Sequence, residues 1–513
     1  MRVGVIFVYI DYNRKGERSR GLLQPQVGAL IAALLPPDVE VDLINETWDG
    51  PDWNRDYDLL FITCAHSDFD RARQVSHYWR RRGAKTVFGG ALAGTYPELC
   101  LPYFDAICIG DAESTVPDVY RDFAHRALQP IYYGRPYDPD SVPTPRLDLL
   151  YKQQRLPLSI EVTRGCPFSC EFCVLTAMGT RFHTRPVELV MRDLDEGRRM
   201  LKGLVPPYML AMGAFYDNNI GGNLPYLRRF CDELSKRRFY WGTCITFNAI
   251  SDESIVKALS RAGCRFLFFG LESFNPHTIA DMRKHQNRID KTRAVIDMCL
   301  KHGILVQSAL LLSPTTDDAK YIASIPDHLE RVGMHLPTFI SFESPIPGTP
   351  YFHALAARDG ALTPDTRLYD YAGYSMVVRP QHDSLPVFVQ AYKDVLQKIY
   401  TPMTRLRKLW AEVPSLLVEG RWQTALVDVI QNAGVFFRQP HPGRTYTPST
   451  DVIPRELSTV PLTDADFDSD AQRHDIMDPW TVTDAHGRVL PQWRRSQKVH
   501  IRRGEVEAAL SAV

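Results

Sequence analysis

At 513 residues the chain has room for two or three domains, each able to bury a core of its own. Its 60 Lys and Arg balance 60 Asp and Glu, which speaks against bulk nucleic-acid binding or a strongly acidic partner. Ten cysteines are too few for a disulfide scaffold, the 44% apolar share is ordinary, and no stretch approaches an integral membrane span.

The amino terminus, Met1-Arg2-Val3-Gly4-Val5-Ile6-Phe7-Val8-Tyr9, reads as a first strand. It lacks the long apolar run and small-residue cleavage site of a signal peptide, so a cytoplasmic protein with reduced thiols is expected. Further strands are predicted over residues 39–44, 57–63, 86–88 and 106–109, with helices over 26–35 and 69–82. Strands alternating with helices predict a Rossmann-like, doubly wound parallel sheet over residues 1–128. Ligands on such sheets sit beyond the carboxyl ends of the strands. The loops there are residues 9–20, 64–68, 89–95 and 110–115. Their glycines Gly89, Gly90 and Gly110 let the backbone approach a flat ligand closely. No G-x-G-x-x-G follows the first strand, which weighs against a dinucleotide. A nucleotide site, or a scaffold that has lost its ligand, stays open at this level.

Residues 129–155 are rich in Pro and Tyr and are predicted to be an extended linker. Residues 156–355 then repeat a strand–helix pattern. Strands are predicted over 156–162, 208–212, 242–247, 266–269, 304–312 and 338–343, and helices over 186–201, 224–238, 252–262 and 291–302. About six such units fit a partial (β/α)6 TIM-type barrel better than a full eight. Residues 356–440 are predicted to be mainly helical. There Tyr369, Tyr371, Tyr374 and Phe388 are either core or the lining of a substrate cavity. Residues 441–513, rich in Pro, Asp and Thr and then basic, are predicted to be an extended tail.

The most informative stretch is Arg164-Gly165-Cys166-Pro167-Phe168-Ser169-Cys170-Glu171-Phe172-Cys173. It leaves the first barrel strand at its carboxyl end, where parallel barrels place their chemistry. Thiolates spaced C-x3-C-x2-C converge on one point when the backbone wraps in a loop, and soft thiolates select zinc, Cu(I) or an iron–sulfur cluster. A structural zinc wants four ligands, so it would need a distant fourth. A cubane cluster on three cysteines keeps one iron free for a substrate or cofactor. The other seven cysteines are scattered in apolar surroundings and read as buried small hydrophobes.

This loop resembles that of the radical S-adenosylmethionine (SAM) superfamily. Later barrel loops resemble its cobalamin-dependent branch: Asp217-Asn218-Asn219, Gly270-Leu271-Glu272-Ser273 and Pro347-Gly348-Thr349-Pro350. The amino-terminal half is similar to the cobalamin-binding domain of that branch, on Tyr57-Asp58-Leu59-Leu60-Phe61-Ile62-Thr63, Lys85-Thr86-Val87-Phe88-Gly89-Gly90 and Ile109-Gly110-Asp111-Ala112-Glu113. It lacks the D-x-H-x-x-G sequence that supplies a cobalt-ligating histidine in some mutases and methyltransferases.

The resemblance implies Cys166, Cys170 and Cys173 as ligands of a 4Fe-4S cluster. It implies SAM contacts from Phe172, Asp217, Asn219 and Glu272, with weaker ones from Ser273 and Gln307. It implies cobalamin contacts from His66, Ser67, Asp68, Gly89, Gly90, Gly110 and Glu113; no catalytic acid or base is singled out. On this pattern a flavodoxin- or ferredoxin-type donor reduces the cluster, SAM is cleaved to a 5′-deoxyadenosyl radical, and that radical takes a hydrogen from the substrate. Cobalamin then delivers a methyl group, and a second SAM restores it. The expected activity is methylation of an unactivated carbon of a natural product or lipid. The alternatives are a cyclase of the anaerobic bacteriochlorophyll type and a non-catalytic cobalamin or redox sensor.

Overall fold

The structure, a computed structural model, describes residues 1–9, 26–48, 50–362, 368–373, 376–418 and 420–438. Most of the predicted loop 9–20 and the whole predicted tail 441–513 lie outside the described residues.

Six parallel strands form the amino-terminal sheet: β1 (Arg2–Phe7), β2 (Glu40–Asn45), β3 (Leu59–Thr63), β4 (Lys85–Gly89), β5 (Ala106–Ile109) and β6 (Ile131–Tyr133), in the order β2-β1-β3-β4-β5-β6. β3 reads as an almost unbroken apolar run because helices cover both faces of the sheet. β6 falls inside the stretch predicted to be a linker: Tyr132 is buried and the strand pairs with β5. Three residues between prolines carry too little periodicity to announce a strand, and β5 supplies the register.

The second sheet starts at β7 (Leu158–Ile160). A short antiparallel pair, β8 (Thr163–Arg164) with β9 (His183–Thr184), closes the cysteine loop at its base. β10 (Met212–Phe215), β11 (Tyr240–Cys244), β12 (Cys264–Glu272), β13 (Leu305–Leu312) and β14 (Ile340–Phe342) follow, parallel and in sequential order from β7 to β14. The outward faces of these strands and the helices around them bury one continuous core, from Leu158 and Val190 through Phe215, Trp241 and Phe269 to Phe342. The predicted strand at 208–212 is a 3-10 turn (Pro207–Ala211), and β10 begins where it ends. Pro206 and Pro207 deny that segment ladder donors.

The chain after β14 is not a separate helical unit. Tyr351, Phe352, Leu368, Tyr371 and Val378 pack into the amino-terminal core beside Phe69, Leu92 and Tyr103. Helix Leu385–Ile399 then lies on the barrel, where the Tyr392 ring sits 4.4 Å from Phe342 and its hydroxyl donates to the Ile340 carbonyl at 2.8 Å. Tyr371 and Phe388 are therefore core; Tyr374 and the Tyr369 side chain lie outside the described residues. Helices Pro402–Val418 and Trp422–Arg438 pack together, with Lys408 buried between Glu412 and Asp428. Among the described residues no helix is long and apolar enough to cross a membrane.

Candidate active site

The cysteine loop is held from three sides. At its base, Arg185 donates its amide to the Val162 carbonyl at 3.0 Å, and Gly165 turns with φ +80. A Cβ on Gly165 would meet the Arg181 carbonyl oxygen at 2.8 Å, so glycine is required there on two counts. From below, the Asp217 Oδ1 accepts the amides of Val162 (2.9 Å) and Thr163 (2.6 Å). From the side, the Glu171 amide donates to the Met282 carbonyl at 3.2 Å, and the Glu171 carbonyl accepts the Tyr351 amide at 3.1 Å. Cys170 is 8% exposed; Cys166 and Cys173 are half-buried. Burial raises the thiol pKa of Cys170 and Cys173.

The predicted SAM contacts divide. Asp217 is spent on the backbone through Oδ1, its Oδ2 is buried without a partner, and burial pushes its carboxyl up to about 8. Asn219 accepts from Gly221 and Thr246 through Oδ1, and its Nδ2 donates to the Cys166 sulfur at 3.6 Å. It serves the cysteine loop itself. Glu272 ends β12 with φ +65, a left-handed conformation for a residue with a Cβ, and pairs with buried Lys284. Such a conformation persists only where the surroundings impose it. Lys284 also lies 5.8 Å from the Phe172 ring centre. Ser273 faces away: its hydroxyl bonds the Tyr321 hydroxyl at 2.8 Å and accepts the Asn275 amide at 3.0 Å, a turn cap. Gln307 accepts from Thr338 at 2.9 Å and keeps a buried Nε2 without a partner.

Beyond the carboxyl ends of the amino-terminal strands lies a cavity of about 310 Å³. Thr63, Gly89, Gly90, Gly110 and Glu113 line it from the sheet, and Glu161, Arg164 and Tyr216 from the barrel. Gln26 lines it too, with its Nε2 buried and unpartnered. Four of the seven predicted cobalamin contacts are thus at the cavity. His66, Ser67 and Asp68 are not: they form a 3-10 turn packed on Leu368–Ala372, with His66 Nε2 3.0 Å from the Tyr371 carbonyl. Burial lowers the His66 pKa, so the ring is neutral and Nε2 carries the proton donated to that carbonyl. The loop was expected at a ligand face; the returning chain, which residue order alone does not place, covers it.

Arg164 joins the two mouths. Its guanidinium donates to Asp111 (2.7 Å) and Glu113 (2.8 and 3.1 Å) from the amino-terminal sheet and to Glu161 (2.6 and 3.0 Å) from the barrel. Burial opposes its charge, but Glu161 and then Glu113 raise its pKa. Glu113, predicted to touch cobalamin, is engaged by this arginine, which holds its carboxyl below the ordinary range despite burial.

Three residues at this mouth had no sequence signal of their own: Lys284, Gln286 and Glu343. Glu343 follows β14, is 1% exposed, and accepts from the Ser313 hydroxyl at 2.6 Å. Burial pushes it up to about 8, with Asp281, Asp317 and Glu272 adding to the shift. Its place after the last strand was the available clue.

Residues 160–324 match the radical SAM superfamily. This chain carries a radical SAM domain. The matched span includes the cysteine loop, Asp217, Asn219, Glu272 and Gln307. The chain is 26% identical over 400 residues to bacteriochlorophyllide d C-8(2)-methyltransferase of Chlorobaculum tepidum, covering 73% of this chain and 87% of that protein. It is 23% identical over 407 residues to hopanoid C-2 methylase of Rhodopseudomonas palustris, covering 75% and 73%. The fold is similar to that of TsrM, a radical SAM methyltransferase from Kitasatospora setae solved with cobalamin and a [4Fe-4S] cluster (TM-score 0.55, 16% identity, 71% of this chain and 80% of that one).

The radical SAM site fits its cofactors. Three thiols share one loop, each within reach of N–H donors: Asn219 for Cys166, Gln286 for Cys170 at 3.7 Å, and the amides of Leu175 and Thr176 for Cys173. The Glu272–Lys284 pair beside that loop offers one charge of each sign, as a zwitterionic amino acid requires. The unpartnered Nε2 of Gln307 is a further buried donor for a bound molecule.

Proposed function

We propose that this chain is a cobalamin-dependent radical SAM methyltransferase acting on an unactivated carbon of a small molecule, a natural product or a lipid. The observation that carries the reading is the apposition of the two mouths. The cavity at the amino-terminal strand ends shares Glu161, Arg164 and Tyr216 with the barrel that bears the cysteine loop. The methyltransferases and methylases among its relatives, and the cobalamin in TsrM, support it.

When bound, the cluster with SAM supplies one-electron, hydrogen-abstracting chemistry, and cobalamin supplies a methyl carrier. The chain's own work is placement. Cys166, Cys170 and Cys173 hold the cluster. Asp217 fixes the backbone that leads into them. Glu272 and Lys284 separate to bind the ammonium and carboxylate of the methionyl group. Gly89 and Gly90 leave room for a bulky ligand, and the Gln26 amide supplies a donor inside the cavity. Arg164 sets the distance between the two sites. Glu343 is the polar group we assign to the substrate side of the barrel mouth. A flavodoxin- or ferredoxin-type carrier as electron donor, and the cytoplasm as compartment, complete the reading.

The test is anaerobic reconstitution with methyl-labelled SAM, using the substrate class encoded by neighbouring genes. Label is expected in the product, together with 5′-deoxyadenosine. Label retained in methionine alone overturns methylation in favour of a rearrangement, and absence of 5′-deoxyadenosine overturns catalysis of this class.

A further inference from the structure

The segment after helix Pro276–Asp281 crosses back over the cysteine loop. Met282 accepts the Glu171 amide at 3.2 Å, and Arg283 pairs with the Glu171 carboxylate at 2.7 Å. Lys284 reaches Glu272 and Phe172. Asn287 donates to the carbonyls of Gly270 and Leu271, both at 2.9 Å. Within this doubly anchored stretch, Gln286 directs its Nε2 at the Cys170 sulfur, 3.7 Å away.

The geometry points to Gln286 as a residue that raises the reduction potential of the cluster, through an amide hydrogen bond to the Cys170 sulfur. This rests on the reading that Cys166, Cys170 and Cys173 hold a 4Fe-4S cluster. Reduction adds an electron, much of whose charge falls on the sulfurs. An N–H dipole aimed at a ligand sulfur therefore stabilises the reduced form more than the oxidised one. Three features single out this contact from the other N–H donors at the loop. Cys170 is the most buried of the three ligands, so water does not readily replace a lost donor. Asn219, the donor to Cys166, also orders Gly221 and Thr246, so its loss mixes tuning with scaffolding. The anchors at Met282, Arg283 and Asn287 hold the segment in place without the Gln286 side chain.

The test uses the full-length protein, reconstituted anaerobically, with the cluster midpoint followed by EPR during a reductive titration without substrate. Gln286→Met keeps the bulk and removes the donor; Gln286→Glu keeps the shape and replaces the donor with an acceptor. His285→Ala, an exposed neighbour on the same segment, is the control. At iron and sulfide contents equal to wild type, the midpoint should fall in Gln286→Met, fall further in Gln286→Glu, and stay put in His285→Ala. An unchanged midpoint in Gln286→Met overturns the proposal. So does lowered cluster uptake in that variant, which would make Gln286 a structural residue of the loop. Wild-type protein that takes up no cluster is a separate result: it removes the cluster reading itself.

Discussion

The two sheets turn their strand ends toward a shared space but build their mouths differently. At the barrel, polar side chains are committed before any ligand arrives: Asp217 to two backbone amides, Asn219 to a sulfur, Glu272 to Lys284, Glu343 to Ser313. At the amino-terminal sheet the corresponding positions are glycines and apolar residues such as Phe61, Ile62 and Val87, around open volume. Fixed dipoles suit chemistry in which charge and geometry must be set in advance. An open apolar slot with few donors suits a large cofactor that brings its own shape. Arg164 is where the two designs meet.

The largest effect is expected from loss of the cluster. Cys170→Ala should abolish the iron–sulfur absorption of protein reconstituted with iron and sulfide alone while leaving the cavity intact; an unchanged spectrum would undo the ligand assignment. Next in size is Arg164→Met, which leaves Asp111, Glu113 and Glu161 facing one another without their cation. Of these only Glu113 is buried, so the cost should lie below the about 3–5 kcal/mol of stranding a fully buried partner. The thermal transition should fall but stay single, because Tyr351, Phe352 and Tyr371 still tie the returning chain into the amino-terminal core. A transition at the wild-type temperature would show that the Arg164 cluster adds nothing to stability.

A smaller effect should come from Glu343. Its folded pKa, about 8, lies above its ordinary value, so its contribution is fully present at acid pH and is lost as pH rises toward 8. Urea unfolding of Glu343→Gln against wild type, from pH 5 to 8, should show the variant gaining relative stability by up to roughly 1 kcal/mol per pH unit. A flat difference would mean that the carboxyl is already ionised in the fold. The mildest test is Gly110→Ala. Gly110 has φ +108, and its Cβ would lie 3.0 Å from the Gly134 backbone. The expected cost is about 1–3 kcal/mol with the barrel site untouched, visible as a lower denaturation midpoint and equal cluster content.

Much of this molecule was legible in its residues. β-branched runs and their glycine stops placed most strands of both sheets, because a buried parallel strand must be apolar and must end in a turn. The cysteine spacing marked one loop as a candidate metal site, since three thiolates within eight residues have few other uses. What stayed hidden were partners distant in sequence. Nothing about Gln286 or Lys284 marks them until the chain folds 116 residues back onto Cys170. His66, expected at a ligand face, donates its hydrogen bond to the carbonyl of Tyr371, 305 residues on.

Periodicity and spacing placed the two α/β sheets, their order along the chain and the three-cysteine loop at the mouth of the second, because each is a local matter. Which polar groups near that loop are free for a ligand and which are already bound emerges in the folded chain alone. That depends on burial and on long-range hydrogen-bond partners. Folding engages Asp217, Asn219 and Ser273 with backbone and side-chain partners, and brings Lys284, Gln286 and Glu343 to the loop and the barrel mouth.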